Sequence, residues 1–97
     1  MSSQITFTGH QIEVTDALRE FTTKKFDRLI QHYDHIISLH VTFEVEKLLQ
    51  IAKATVNTAG KAFNAVSSSP SMYESIDALV DKLERQIKDH RRKQTGH

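Results

Sequence analysis

The chain has 97 residues, 13 of them Lys or Arg and 12 Asp or Glu, with 38% hydrophobic content, no Cys, no Trp, one Pro and three Gly. A chain of this size holds one core and no deep cleft between domains, which excludes large multi-step enzymes, and its charged and apolar fractions exclude disorder. The lack of Cys excludes disulfide frameworks, thiolate zinc sites and cysteine nucleophiles, and the formal charge of +1 divides unevenly, with net −3 over residues 1–81 and net +4 over residues 82–97.

Met1-Ser2-Ser3-Gln4 has neither the basic nor the apolar part of a secretory signal, so a cytoplasmic chain is expected. No apolar run approaches the ~18–20 residues that span a bilayer, so no membrane segment is expected either. Gln4 to Gly9 alternates apolar and polar residues and predicts a short first strand, with a turn at Gly9-His10-Gln11. Thr15 offers a hydroxyl for a helix N-cap, Asp16 follows in the first turn, and Leu18, Phe21, Phe26, Leu29, Ile30 and Tyr33 recur at helical spacing. That predicts a helix over 16–32, about 25 Å long.

From Ile37 the period changes to two. Ile37, Leu39, Val41, Phe43 and Val45 alternate with Ser38, His40, Thr42, Glu44 and Glu46, which predicts a strand with one wet face. Ala52, Ala54, Val56 and Thr58 continue the alternation, Ala59-Gly60-Lys61 reads as a turn, and Phe63, Ala65 and Ser67 alternate again. Strands two to four therefore make an antiparallel meander, with small residues that let a helix approach closely. Ser67-Ser68-Ser69-Pro70 breaks the pattern, and Ser71 to Glu74 has the Ser-x-x-Glu form of a capping box. Ile76, Leu79, Val80, Leu83 and Ile87 form the stripe of a second helix that runs toward Lys93, with residues 94–97 expected to fray.

The fold class is thus α+β, in the order β-α-β-β-β-α, as one domain over residues 1–97. A right-handed first crossover makes strands one and two parallel and puts both helices on one face of a four-stranded sheet.

On the second helix Lys82, Arg85, Arg92 and Lys93 lie opposite the apolar stripe, interrupted by Asp89. On the first, Lys24, Lys25 and Arg28 make a basic strip, with Lys25 beside the apolar side, where its stem can snorkel along the core edge. Any single such charge is ordinarily a solvated one. Two parallel helices on one sheet face, however, can align their strips into a surface spaced for phosphates.

Other chemistry is weakly supported. His32-Tyr33-Asp34-His35 is the close histidine cluster, but it sits at a helix end and lacks a second ligand pair; bonding to the last helical carbonyls is the expected role of such a His, and no metal is expected. His40, Glu44 and Glu46 share a strand face, as the wet side of a sheet would have it. No G-x-S-x-G elbow and no Gly-rich phosphate loop occurs, so neither an enzyme nor a cofactor is expected.

Longer strings are more specific. Thr15 to Phe21 (TDALREF), Lys25 to Leu29 (KFDRL), Tyr33 to Ile36 (YDHI), Val45 to Lys47 (VEK) and Met72 to Ile87 (MYESIDALVDKLERQI), in this order and spacing, resemble the bacterial ribosome hibernation promoting factor family along essentially the whole chain. The resemblance implies a fold similar to the double-stranded-RNA-binding domain. It also implies binding to the small ribosomal subunit at 16S rRNA in the decoding channel, in competition with mRNA and tRNA, by a protein that is monomeric when free. Lys25, Arg28, Lys82 and Arg85 match basic places of family strings, Arg91 and Lys93 occupy basic places beyond them, and Lys24, Lys88 and Arg92 add charge. Asp89 falls where a relative can carry Lys.

With the chain ending at His97, the resemblance points to the short form of the family, which promotes inactive ribosome dimers with a separate small modulation factor. The ribosome-associated inhibitor that idles single ribosomes is the alternative. Unlike generic double-stranded-RNA binders, the second helix opens on an acidic turn, Glu74 to Asp77, so poor binding to free duplexes is expected.

Overall fold

The computed structural model describes residues 4–33 and 35–95, with side chains as far as His90. Its elements are β1 (Gln4–His10), α1 (Asp16–His32), β2 (Ile36–Glu46), β3 (Leu49–Thr58), β4 (Ala62–Ser69) and α2 (Met72–Thr95). The strands lie in the spatial order β1-β2-β3-β4. β1 runs parallel to β2 across the α1 crossover, and β2, β3 and β4 form the expected antiparallel meander.

Thr15 caps α1 as its position predicts: held extended, it accepts the Leu18 amide through its hydroxyl at 3.2 Å. At the other end the Tyr33 amide bonds to the Leu29 carbonyl and His32 Nδ1 donates to the Arg28 carbonyl at 2.7 Å, satisfying acceptors that a helix end would otherwise leave open. The start of α2 is built differently from the expected Ser71–Glu74 box. Ser69, at the end of β4, accepts the Ser71 amide. The hydroxyls of Ser69 and fully buried Ser75, 2.9 Å apart, share their two protons among each other, the Ser71 carbonyl and the Gln50 carbonyl. The serine run is therefore a polar bolt between the sheet and the first turn of α2.

The core lies between one sheet face and both helices. Leu39, Val41 and Phe43 of β2, Ala52, Ala54 and Val56 of β3, and Phe63 of β4 face Phe26 and Leu29 of α1 and Ile76, Leu79 and Leu83 of α2. Ala52 and Ala54 bring no bulk, so α2 can pack directly on β3 and β4. At the β1 side Phe7 stacks on Phe43, with ring centroids 6.1 Å apart.

One expected position is corrected. Ile37 points outward at 59% exposure while Ile36 is buried, because the β2–β3 register shifts between Ile36 and Ser38 and the extra residue reverses which side chain faces in. The β2–β3 hairpin is closed by Lys47 and Leu48, with Lys47 at φ 57°, a left-handed conformation adopted here without Gly or Asn. At the opposite border of the sheet, Lys82 Nζ donates to the Val66 carbonyl at 2.7 Å and Gln86 Nε2 to the Asn64 carbonyl at 2.9 Å. Both acceptors lie on β4, the outermost strand, so α2 covers part of an edge that would otherwise be open to pairing.

Candidate nucleic-acid interface

The two helices run parallel, and three contacts fix the alignment. Phe21 meets Tyr73 edge-to-face at 4.7 Å, Lys25 Nζ lies 2.8 Å from Asp77 Oδ1, and Arg28 reaches Asp81 at 3.3 Å and Glu84 at 3.5 Å. Each step of about one turn along α1 is matched by one turn along α2. The reason is in the spacing: residues 21, 25 and 28 share one flank of α1, and 73, 77, 81 and 84 share the flank of α2 that faces it.

This pairing changes what the basic strip of α1 can do. Rather than lying beside the cations of α2, Lys25 and Arg28 insert into its acidic flank, and Lys25 also sits over the Phe21 ring at 5.3 Å. Both pairs are about half exposed, so each stabilises the helix pair modestly, on the order of 0.2–1 kcal/mol. Lys24, one position round, is exposed on the outer surface.

On α2 the expected residues diverge. Lys82 turns to the β4 edge, where its Nζ donates to the Val66 carbonyl. Arg85 and Lys88 are exposed on the outer side, and among the described residues neither has an ion pair or hydrogen bond. Arg91, Arg92 and Lys93 continue the helical backbone, while their side chains lie outside the described residues, as do Gly96 and His97 altogether. Along the helices the charge turns positive: the first halves set Asp16, Glu20, Glu74, Asp77 and Asp81 against Arg19, Lys24 and Lys82, and the second halves set Lys25, Arg28, Arg85, Lys88, Arg91, Arg92 and Lys93 against Asp27, Glu84 and Asp89. Backbone amides and acids at helix starts, with cations toward helix ends, also suit the two macrodipoles.

The far side of the sheet holds hydroxyls, amides and few charges. His40 is held between two threonines of β1, Nδ1 2.6 Å from Thr6 Oγ1 and Nε2 3.2 Å from Thr8 Oγ1. Glu44 is paired with Lys53 at 2.9 Å, and that hydrogen bond lowers the pKa of its carboxyl from the ordinary value, against an opposing effect of desolvation and with the charges of Lys53 and His10 adding to the lowering. The acid and the base on this strand face are each engaged with other partners, so they form no acid–base pair. Among the described residues no group of three or more His, Asp or Glu is arranged to hold a metal ion, and no helix is long and apolar enough to cross a membrane.

Two features escape the sequence. Tyr73, 46% exposed, completes with Phe21 and Lys25 a small aromatic and cationic cluster at the mouth of the helix pair; its sequence signal, a Tyr after a helix start, is equally that of a packing residue. Leu48, 87% exposed at the β2–β3 tip, follows a lysine whose turn conformation no local Gly or Asn announces.

The model of the family described as sigma 54 modulation protein / S30EA ribosomal protein matches residues 5–95. The ribosome hibernation promoting factor of Salmonella typhimurium is 42% identical over 94 residues, covering 97% of this chain and 99% of that one. The protein of the same name from Azotobacter vinelandii is 44% identical over 91 residues, covering 94% and 85% respectively. Among solved structures, a ribosomal subunit interface protein from Coxiella burnetii superimposes with a TM-score of 0.86 at 36% identity, over 91% of this chain and 97% of that one. The N-terminal domain of Thermus thermophilus Protein Y gives 0.83 at 27% identity, over 91% and 98%.

Proposed function

The chain belongs to the sigma 54 modulation protein / S30EA ribosomal protein family, whose relatives are ribosome hibernation factors, and from that premise we propose that it acts by occupying the small ribosomal subunit at the decoding channel. Contact with 16S rRNA there blocks mRNA and tRNA, inhibits translation in the cytoplasm and promotes inactive ribosome dimers. Occupancy itself inhibits, and no bond is made or broken.

The observation that carries this reading is the placement of cations on the second half of the helical layer. Arg85 and Lys88 are exposed there, Lys24 and Lys82 lie at its border, and Arg91, Arg92 and Lys93 extend the same helix. Lys25 and Arg28 contribute through charges already partly offset by Asp77, Asp81 and Glu84. A groove walled by phosphates rewards such a band of charge without any base-reading motif.

The test is sedimentation of small subunits and whole 70S ribosomes with the protein, with and without bound tRNA and at two salt concentrations. Co-sedimentation that tRNA abolishes supports occupancy of the channel, and a dimer peak appearing with the protein supports dimer promotion. Binding that leaves 70S particles single favours the idling inhibitor instead, and a protein that stays at the top of every gradient refutes the proposal.

A further inference from the structure

At the end of the molecule where α1 stops and the β3–β4 turn lies beside α2, there is a cavity of about 380 Å³. Tyr33, Ile36, Phe63 and Ile87 line its floor, and all four are buried. Three of the six histidines of the chain, His32, His35 and His90, reach its rim from separate elements, although 58 positions separate the first from the last. A volume in this range, with an apolar floor and a few convergent polar groups, is that of a small-molecule site.

The chemistry of the rim selects the ligand. His32 donates through Nδ1 to the Arg28 carbonyl, which leaves Nε2 for another partner. The His90 ring stands edge-on to Phe63 at 5.5 Å, and Lys61 Nζ lies 5.4 Å from the centre of the same ring. The β3–β4 turn is closed by Thr58 and Lys61 through the Thr58 amide, the Thr58 hydroxyl and the Lys61 amide, so the amides of Ala59 and Gly60 are not consumed by it. Imidazoles and turn amides at the rim suit an anion, with the Lys61 ammonium nearby but outside the lining, and the rings of Tyr33, Phe63 and the histidines suit a planar π-system.

We propose that this end cavity binds one nucleotide, with its base on the Tyr33–Phe63 floor and its phosphate at the histidine rim. The site is separate from the outward cations Lys24 and Arg85, so it stands or falls independently of the ribosome reading. The shared chemistry is that of a free mononucleotide and of one unstacked nucleotide in a single strand.

The test is an NMR titration of the full chain with adenosine 5′-monophosphate, adenosine, inorganic phosphate and a short single-stranded RNA. Saturable shifts at Tyr33, Phe63 and Ile87 are expected with the monophosphate, with adenosine and phosphate each at least about tenfold weaker. Gly60→Glu places a carboxylate at the rim where an added Cβ meets nothing within 4 Å, and His35→Ala removes an exposed imidazole. Both variants should keep the melting temperature and weaken the monophosphate by about tenfold. Tighter binding of the RNA at the same residues identifies a strand nucleotide as the occupant, and weaker or equal binding a free one. Shifts that fail to saturate, that phosphate alone reproduces, or that survive unchanged in both variants overturn the proposal.

Discussion

Arg85→Ala separates binding from folding on the helical layer. Its side chain is exposed and, among the described residues, has no ion pair or hydrogen bond, so its loss should change stability by less than ~0.5 kcal/mol. Lys24, Lys82, Arg85 and Lys88 are cations of the proposed surface without an acidic partner among the described residues, and each phosphate they neutralise contributes about −0.7 to −0.9 to the slope of log K against log salt. Those four alone give a slope near −3, and Arg85→Ala should make it shallower by a little under ~1 unit. Arg28→Ala offers the contrast. It breaks two half-exposed pairs and leaves Asp81 and Glu84 facing each other, which should cost about 0.5–1 kcal/mol, or roughly 2–8 °C in melting temperature for a chain this small. The assay is co-sedimentation with small subunits across a salt series, paired with thermal melts of both variants. An Arg85→Ala protein with the wild-type slope and affinity refutes the placement of Arg85 at rRNA, and one that melts as low as Arg28→Ala refutes its description as unpartnered.

Three further outcomes test the rest of the structure. Lys82→Ala with Gln86→Ala uncovers the Val66 and Asn64 carbonyls on the outer strand, so concentration-dependent self-association is expected in analytical ultracentrifugation; a double variant that stays monomeric at its solubility limit shows that the edge needs no cover. Gly9→Ala would drive a Cβ into the Ile12 carbonyl oxygen and to 3.0 Å from Val14 Cγ2, and should destabilise by about 1–3 kcal/mol in denaturant titration. The Glu44 carboxyl, held below its ordinary value chiefly by Lys53, stabilises the folded state above the ordinary carboxylate range and loses that contribution as pH falls through its depressed value; Lys53→Met should move its NMR titration back up, and an unmoved midpoint rules out the pair as the cause.

Much of the architecture was legible because local chemistry and global pattern agree. Thr15 marks the start of α1 to the residue, and the change from a period of 3.6 to one of 2 marks β2. Alternation alone puts Ile37 inward, because two adjacent isoleucines satisfy either face equally and only the register against Thr58 and Asn57 decides that Ile36 is the buried one. The Ser71–Glu74 box was plausible by spacing, yet the sheet supplies a hydroxyl from Ser69 that reaches the same turn first. For the candidate interface, composition located the cations but not their partners. That Lys25 faces Asp77 while Arg85 faces no acid follows from the parallel helix alignment, which no window of local sequence contains. The end cavity was illegible for the same reason, since His90 joins His32 and His35 only through the fold.

The parallel arrangement of α1 and α2 makes the molecule an electric dipole as well as a scaffold. Both helix starts, with Asp16 and Glu74, lie at one end, and the positive run from Lys82 onward extends to the other along a helix of 24 residues, about 36 Å long. Salt screens charges over about 8 Å, so a polyanion does not feel the small net charge of +1; it feels whichever end is near. A nucleic-acid surface therefore exerts a torque that turns the cationic end forward and pushes the acidic helix starts away. Approach with the cationic end forward is favoured over the reverse, and that bias is written into the direction in which two helices run.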